Sequence, residues 1–296
     1  MPDPVVFPER PRVAVACGAT LGEGAIWDDR TGTLLFVDIK GHRVHRWRPG
    51  DRDTKSTDTG EDVGFVLLTD HPDIMLLGLK SGLARLDLRA DGRPEPLLRP
   101  EPDRPGNRLN DGCAGPGGCV LFSSLDDAHR EPTGRFYAWD GADLTAFGRE
   151  TVVANGPTFD AGRNLVYATD TTNRCIYRHA VGPGGRPQAA EVFVTLPEGA
   201  GHPDGSAVDA EGHLWVCHWG GSRVTRFSPE GEAVLEVTVP TAQVTKVAFG
   251  GPDLGTLFIT TAAEGRDREI DPMAGHVFAV ETGIRGVPAG RVRLPA

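Results

Sequence analysis

Residues 204–227, DGSAVDAEGHLWVCHWGGSRVTRF, contain the pattern that decides the fold of this 296-residue chain. A polar start is followed by a few small residues, a turn (DAEG), an apolar run (LWVC), a second turn and a further apolar segment. Short runs rich in branched and aromatic residues are typical of β-strands, and Asp, Gly and Asn are typical of tight turns. The segment therefore predicts short strands joined by turns rather than a helix.

The same pattern recurs along the chain. Its copies cover 23–47, 64–88, 110–139, 155–179 and 204–227, and a last copy runs from 244 and closes with GHVFAV at 275–280. Six units in a chain of this length are roughly 49 residues each, near the length of a four-stranded propeller blade. No segment alternates long helices with strands, which argues against a parallel α/β sheet. We therefore predict one all-β domain over residues 1–296, a six-bladed β-propeller with four-stranded antiparallel blades. The strand RVAVAC at 12–17 is predicted to join the last blade and close the ring.

Composition and charge argue against several classes of function. A net charge of −10 does not suit nucleic acid or an anionic membrane surface, since both require a Lys/Arg-rich face. Five cysteines without a CxxC pair suggest neither a disulfide framework nor a thiolate zinc site. The N-terminal stretch lacks the apolar core of a signal peptide, and no apolar run approaches the roughly 18 residues of a membrane span. We predict a cytoplasmic protein that acts on a small molecule, with its oligomeric state left open.

Polar side chains stand at one repeated position in four copies of the pattern. The turn positions are Asp28, Gly115, Asp160 and Asp209, and the residues five places earlier are Glu23, Asn110, Asn155 and Asp204. Phe65 and Thr245 stand there in the other two copies. The inner strand of each blade lines the channel of a propeller, so these side chains are expected to converge near the axis.

Such a convergence predicts a metal site in the central channel. Crowded carboxylates repel each other, and a divalent cation with oxygen ligands relieves that repulsion. Asp204 is then a candidate metal ligand, whereas Asp209 is a turn residue. At any single position, capping of the local backbone by an Asx side chain is the alternative.

The chain resembles the SMP-30/gluconolactonase/regucalcin family of sugar lactonases, and most of all its bacterial xylonolactonase-like branch. The resemblance spans residues from about 20 to 280. The matching stretches are LGEGAIWDD (21–29), FVDIKGHRVHRW (36–47), GNRLNDG (106–112), ANGPTFD (154–160), YATDTTNRCIY (167–177), HPDGSAVDAEGHLWV (202–216) and VTKVAFGGPDLGTLFITTA (244–262).

The resemblance implies a propeller with one divalent cation in its axial channel. The resemblance also implies that Glu23, Asn155 and Asp204 are the metal ligands and that Asp204 is the general acid/base. Arg108 and Asn110 are the substrate-binding residues. The identity of the cation stays open among Ca²⁺, Zn²⁺, Mn²⁺, Mg²⁺ and Fe²⁺.

Some positions depart from the family pattern. Ser123-Ser124-Leu125 stands where relatives often have Gly-Thr-Met, and Gly115 replaces the usual turn aspartate. Ala128 stands where some members carry an acidic substrate contact, with Asp127 one residue away and His129 in the same insertion. These changes leave the choice of lactone open.

The sequence therefore predicts divalent-metal-dependent hydrolysis of a sugar lactone, an aldonolactone such as xylonolactone or gluconolactone, to the aldonic acid. One alternative keeps the metal propeller and changes the substrate to another lactone or a phosphotriester-type ester. Another is a metal-binding or docking propeller without catalysis. The presence of Arg108 and Asn110 beside the ligand set favours catalysis, because metal storage does not require them.

Overall fold

The strands form six sheets that follow one another along the chain. The structure, a computed structural model, describes residues 3–89 and 92–295. Two N-terminal strands, β1 (Val5–Val6) and β2 (Arg12–Val15), precede the first blade. Blades one to three comprise β3 (Gly22–Asp28), β4 (Thr33–Asp38), β5 (Arg43–Trp47) and β6 (Lys55–Asp58), then β7 (Val63–Leu68), β8 (Ile74–Leu79), β9 (Gly82–Asp87) and β10 (Glu95–Leu98), then β11 (Asn107–Ala114), β12 (Val120–Asp126), β13 (Gly134–Trp139) and β14 (Leu144–Thr151).

The second half of the chain repeats this arrangement. Blades four to six comprise β15 (Ala154–Asp160), β16 (Leu165–Asp170), β17 (Cys175–Val181) and β18 (Pro187–Thr195), then β19 (His202–Val208), β20 (Leu214–Trp219), β21 (Arg223–Phe227) and β22 (Ala233–Thr238), then β23 (Val244–Gly250), β24 (Thr256–Thr261) and β25 (Val277–Glu281). Short 3₁₀ turns at Pro116–Gly118 and Pro183–Gly185 are the helical elements of the described residues. None of these residues forms a helix long and apolar enough to cross a bilayer.

The six sheets are the blades of a propeller, as the sequence predicts. The inner strands contact one another in the order β3, β7, β11, β15, β19, β23 and back to β3, so the ring is closed. Strand β2 supplies the outer strand of blade six by pairing with β25, and it spans the first four residues of the segment 12–17. The fifth blade carries an addition that the sequence did not predict, since β1 pairs in parallel with its outer strand β22.

Packing between blades explains why the central strands read as continuous apolar runs. All six residues of β4 (TLLFVD) and of β8 (IMLLGL) are buried, because each blade is covered on both faces by its neighbours. A strand covered on one face only would alternate apolar and polar residues. The outer strands β6 and β10 are largely exposed.

The inner strands are irregular near one mouth of the channel. Their pairing with the second strand skips in every blade, including Glu23 to Ile26, Leu109 to Gly112 and Asn155 to Thr158. Such bulges bend the strand and re-aim its side chains. At the opposite end, the segment 287–290 lies across the axis and lines a small cavity of about 150 Å³.

Candidate active site in the axial channel

A pocket of about 610 Å³ opens at the mouth where the inner strands are irregular. Its volume lies within the range of small-molecule sites. The five residues that the sequence analysis proposed as site residues all line it: Glu23, Arg108, Asn110, Asn155 and Asp204. They come from blades one, three, four and five. The fold therefore brings all five together, although 181 positions separate the first from the last.

A glycine follows each candidate metal ligand and shapes the backbone beside it. Glu23 accepts a hydrogen bond from the backbone N–H of Gly24 through Oε2 (3.0 Å), and Asn155 accepts one from Gly156 through Oδ1 (3.1 Å). Both glycines have positive φ, 58° and 69°, in the left-handed region that favours glycine. These local bonds fix the side chains at the edge of the pocket.

The three candidate ligands are almost completely buried, and two of them are in direct contact. Glu23, Asn155 and Asp204 are 6%, 4% and 5% exposed. The amide Nδ2 of Asn155 donates a hydrogen bond to Oδ1 of Asp204. Burial, followed by repulsion from Asp204 and Asp111, raises the pKa of Glu23 well above its ordinary value. Burial, followed by repulsion from Asp111, raises the pKa of Asp204 to about 7. The pocket floor thus concentrates negative charge.

Arg108 is held rigidly in the pocket wall. Its Nε donates to Oδ1 of Asp127 (3.1 Å), and its Nη1 donates to Oδ1 of Asn110 (2.7 Å). Asn110 in turn donates from Nδ2 to the carbonyl of Ala154 in the next blade (2.9 Å). Within the described part of the chain, Nη2 of Arg108 makes no hydrogen bond to a protein acceptor.

Asp127 lies one residue from the position where some family members carry an acidic substrate contact, and it lines the pocket. Its carboxylate also contacts two ammonium groups, Lys40 Nζ at 3.0 Å and Lys80 Nζ at 2.9 Å. Burial raises the pKa of Asp127, but hydrogen bonds from Lys80 and Lys40 outweigh it and hold that pKa below its usual range. His129 lies in the same loop and lines the mouth of the pocket. Asp127 therefore connects Arg108 to the two lysines, Lys40 and Lys80.

Two charged residues of the channel were missed by the sequence analysis. Asp111 and Lys246 are 1% and 6% exposed, and Lys246 Nζ lies 2.5 Å from Oδ2 of Asp111. Asp111 also accepts a hydrogen bond from Gly112 N at 2.7 Å, the bond that Glu23 makes to its own following glycine. Asp111 thus shares this local bond with Glu23, whereas Asn110, the residue that the count from the turns identifies, lines the pocket. Asp111 and Lys246 line the smaller cavity of the channel instead.

The histidine and cysteine side chains near the pocket have surroundings that indicate structural rather than catalytic roles. Nδ1 of His202 donates to the carbonyl of Thr171 (3.0 Å), and Nδ1 of His218 donates to that of Ala200 (2.8 Å). Burial lowers the pKa of His218 to about 4 and raises that of Cys113 to about 12. A thiol with that pKa is not a nucleophile at neutral pH.

Comparison with known proteins agrees with this geometry. The model of the family described as SMP-30/Gluconolactonase/LRE-like region matches residues 21–263. L-Arabinolactonase of Azospirillum brasilense is 37% identical over 280 residues, which cover 92% of each chain. Pentonolactonase XacC of Haloferax volcanii is 34% identical over 289 residues, 93% of this chain and 96% of that one. The crystal structure of a calcium-binding protein, regucalcin, from Agrobacterium tumefaciens superimposes with a TM-score of 0.93 at 27% identity, covering 98% of this chain and 99% of that one.

These findings confirm two expectations from the sequence, the family and the membership of a group of lactone-hydrolysing enzymes. The match covers most of the chain, and the five proposed site residues lie inside it. This chain belongs to the SMP-30/gluconolactonase/LRE-like family.

Proposed function

We propose that this protein hydrolyses a sugar lactone, an aldonolactone such as xylonolactone or gluconolactone, with the help of one divalent cation. The observation that supports this most directly is the lining of a single pocket by Glu23, Arg108, Asn110, Asn155 and Asp204. The relatives named as an arabinolactonase and a pentonolactonase support the substrate class, since both names denote sugar lactones.

The donor atoms suit a hard cation. Glu23 and Asp204 offer carboxylate oxygens and Asn155 offers an amide oxygen, the ligands that Ca²⁺, Mg²⁺ and Mn²⁺ prefer. Among the residues described, no cluster of three or more His, Cys, Asp or Glu side chains is arranged to hold a metal, so the set depends on the amide. The similar structure described as a calcium-binding protein, regucalcin, supports the binding of a divalent cation by this fold. When bound, the cation supplies a Lewis acid beside the lactone carbonyl.

Arg108 would bind and orient the lactone. Asp127 and Asn110 hold its guanidinium plane, which leaves Nη2 to donate to a sugar hydroxyl or to the ring oxygen. Asn110 uses both ends of its amide in the protein, so we assign it mainly to the positioning of Arg108, with the second Nδ2 proton available to substrate. A charged donor held in a fixed position orients the substrate at little further entropic cost.

Asp204 would move the proton. Its carboxylate accepts a proton from the attacking water as the water oxygen bonds to the carbonyl carbon. It then returns the proton to the ring oxygen as the ring C–O bond breaks, so that the hydroxy acid leaves and the carboxylate is regenerated. A nearby cation lowers the pKa of this carboxyl from the value set by burial, which keeps it ionised for the next cycle.

A panel of aldonolactones, assayed by acid release with metal removed and restored, tests this function. We expect activity on at least one sugar lactone, its loss after chelation, and its return with a divalent cation. Asp204→Ala should lower turnover by about a hundredfold or more. Asp253→Ala, in the exposed turn between β23 and β24 at the other end of the channel, is the matched control. Activity that is unchanged after chelation, or full turnover by a folded Asp204→Ala variant, would overturn the proposal.

A further inference from the structure

Lys246 is a buried cation that the proposed mechanism does not use. It lies on β23 of blade six, and its stem packs against Gly205, where a Cβ would stand 2.3 Å from Lys246 Cδ. From there the side chain reaches across the axis to Oδ2 of Asp111, at 2.5 Å, on β11 of the opposite blade. A lysine is almost never this buried unless it is paired, because removing its charge from water is costly.

Asp111 makes the same local bond as two candidate ligands in other blades. The bond from its carboxylate to the N–H of Gly112 matches the bonds of Glu23 to Gly24 and of Asn155 to Gly156. It is a further carboxylate of the channel, but it lines the smaller cavity rather than the pocket. Its Oδ2 is occupied by the ammonium group of Lys246.

The charges of the described channel residues add up to a simple balance. Glu23, Asp111 and Asp204 are three buried carboxylates, and Lys246 is one buried ammonium group. Their net charge is −2 when all are ionised, which one divalent cation neutralises. Asp111 and Lys246 act electrostatically on both Glu23 and Asp204, so the four groups form one interacting set. Asp127 is paired with Arg108, Lys40 and Lys80 and is not counted in this set.

We propose that the ammonium group of Lys246 occupies the place of a second cation in the channel, holds Asp111 out of the ligand set and thereby limits the site to one divalent ion. This inference rests on the proposed metal centre. It adds a residue that sets the number and the affinity of bound cations without touching the substrate. Lys246 is in this sense a positioning residue.

The charge balance is tested by calorimetric titration of Ca²⁺ into four metal-free proteins: wild type, two single variants and one double variant. Wild type should bind one equivalent of Ca²⁺. Lys246→Met, which keeps the length of the side chain and removes its charge, should bind about tenfold more tightly or better and take up a second equivalent at higher calcium. Asp111→Asn should weaken binding by about the same factor, because it removes a negative charge and leaves the lysine.

The double variant Asp111→Asn/Lys246→Met separates charge from packing. It restores the net charge of −2 and leaves no unpaired buried ion, so its stoichiometry should be one and its affinity within about threefold of wild type. Unchanged calcium binding by Lys246→Met, or a double variant as far from wild type as the single variants, would overturn the inference. If wild type itself binds no divalent cation, the proposed metal centre fails first and the inference with it. Thermal melts establish that each variant is folded, and if a single variant is not, the double variant alone decides the outcome.

Discussion

Replacement of Asp204 by Asn should stabilise the metal-free protein at alkaline pH. The substitution keeps the shape of the side chain and the acceptor Oδ1 for the amide of Asn155, and it removes a buried charge. Burial and the charge of Asp111 raise the pKa of Asp204 from 3.8 to about 7 in the folded protein. The unfolded chain releases this proton near pH 4, whereas the folded protein retains it until about pH 7. Folded stability from this group is therefore greatest at low pH and is lost as pH rises through 7.

The size of the effect follows from the same pKa. A tenfold change in acidity corresponds to about 1.4 kcal/mol, so the fully ionised carboxylate disfavours folding by up to about 4 kcal/mol. Between about pH 5 and about pH 8, the part of this difference that changes is roughly 2 to 3 kcal/mol. For a chain of this size, that corresponds to a shift of roughly 5 °C in Tm.

Thermal melts of both proteins in excess chelator at about pH 5 and about pH 8 provide the measurement. We expect Asp204→Asn to melt above wild type at the higher pH, with the difference shrinking at the lower pH. Comparison of the two proteins at each pH cancels the titration of groups that do not interact with Asp204, and the removal of its charge also lowers the pKa of Glu23. Added Ca²⁺ should reverse the order at the higher pH, because wild type binds the cation more tightly and is stabilised by mass action. A variant that is less stable by the same amount at both pH values would refute the assignment of Asp204 as a strained buried carboxylate.

Three further substitutions test the surroundings of the site. Asp209→Ala should lower the free energy of unfolding in urea by about 3 to 5 kcal/mol, because it removes the buried acceptor of both Trp215 and Arg226 and leaves Arg226 only the exposed Glu211. Gly205→Ala should weaken calcium binding in calorimetry by about tenfold or more, since the new Cβ meets the stem of Lys246 and displaces the adjoining backbone. Asp127→Asn should raise KM by about tenfold with a smaller change in kcat, because it loosens Arg108 without touching the proposed proton acceptor, and steady-state kinetics measure both constants.

Most of the fold is encoded in signals that are local and repeated. Each blade has to bury both faces of its middle strands, which produces short apolar runs, and each turn needs Asp, Gly or Asn, so the two signals alternate at a fixed spacing. The closing strand was predictable for a different reason, since RVAVAC is a short apolar run and a closed ring leaves no open sheet edge. The strand β1 was not, because two valines that stay 65% and 60% exposed leave no pattern in the sequence.

Asp209 is a turn residue, as predicted, but it also binds partners outside the turn. Its Oδ1 accepts the backbone N–H groups of Glu211 and His213, at 2.9 Å and 3.0 Å, as a turn aspartate does. Its Oδ2 binds the indole N–H of Trp215 and the guanidinium of Arg226, both at 2.8 Å. These partners come from neighbouring strands of the same blade, and a count along the chain does not reveal them.

The candidate site shows where counting along the sequence stops being informative. Glu23, Asn155 and Asp204 were found because each stands five residues before an aspartate turn, and the strand between them has the same length in those blades. In blade three the count finds Asn110, which lines the pocket, and passes over Asp111 beside it, which lines the smaller cavity. A lysine within VTKVAF, an inner strand otherwise built of small and apolar residues, was the remaining signal. A charge placed there must face an opposite charge across the axis, and NDG in the opposite blade offers an acid at the matching depth. Reading the inner strands in pairs across the ring, rather than one after another along the chain, would have paired Lys246 with Asp111.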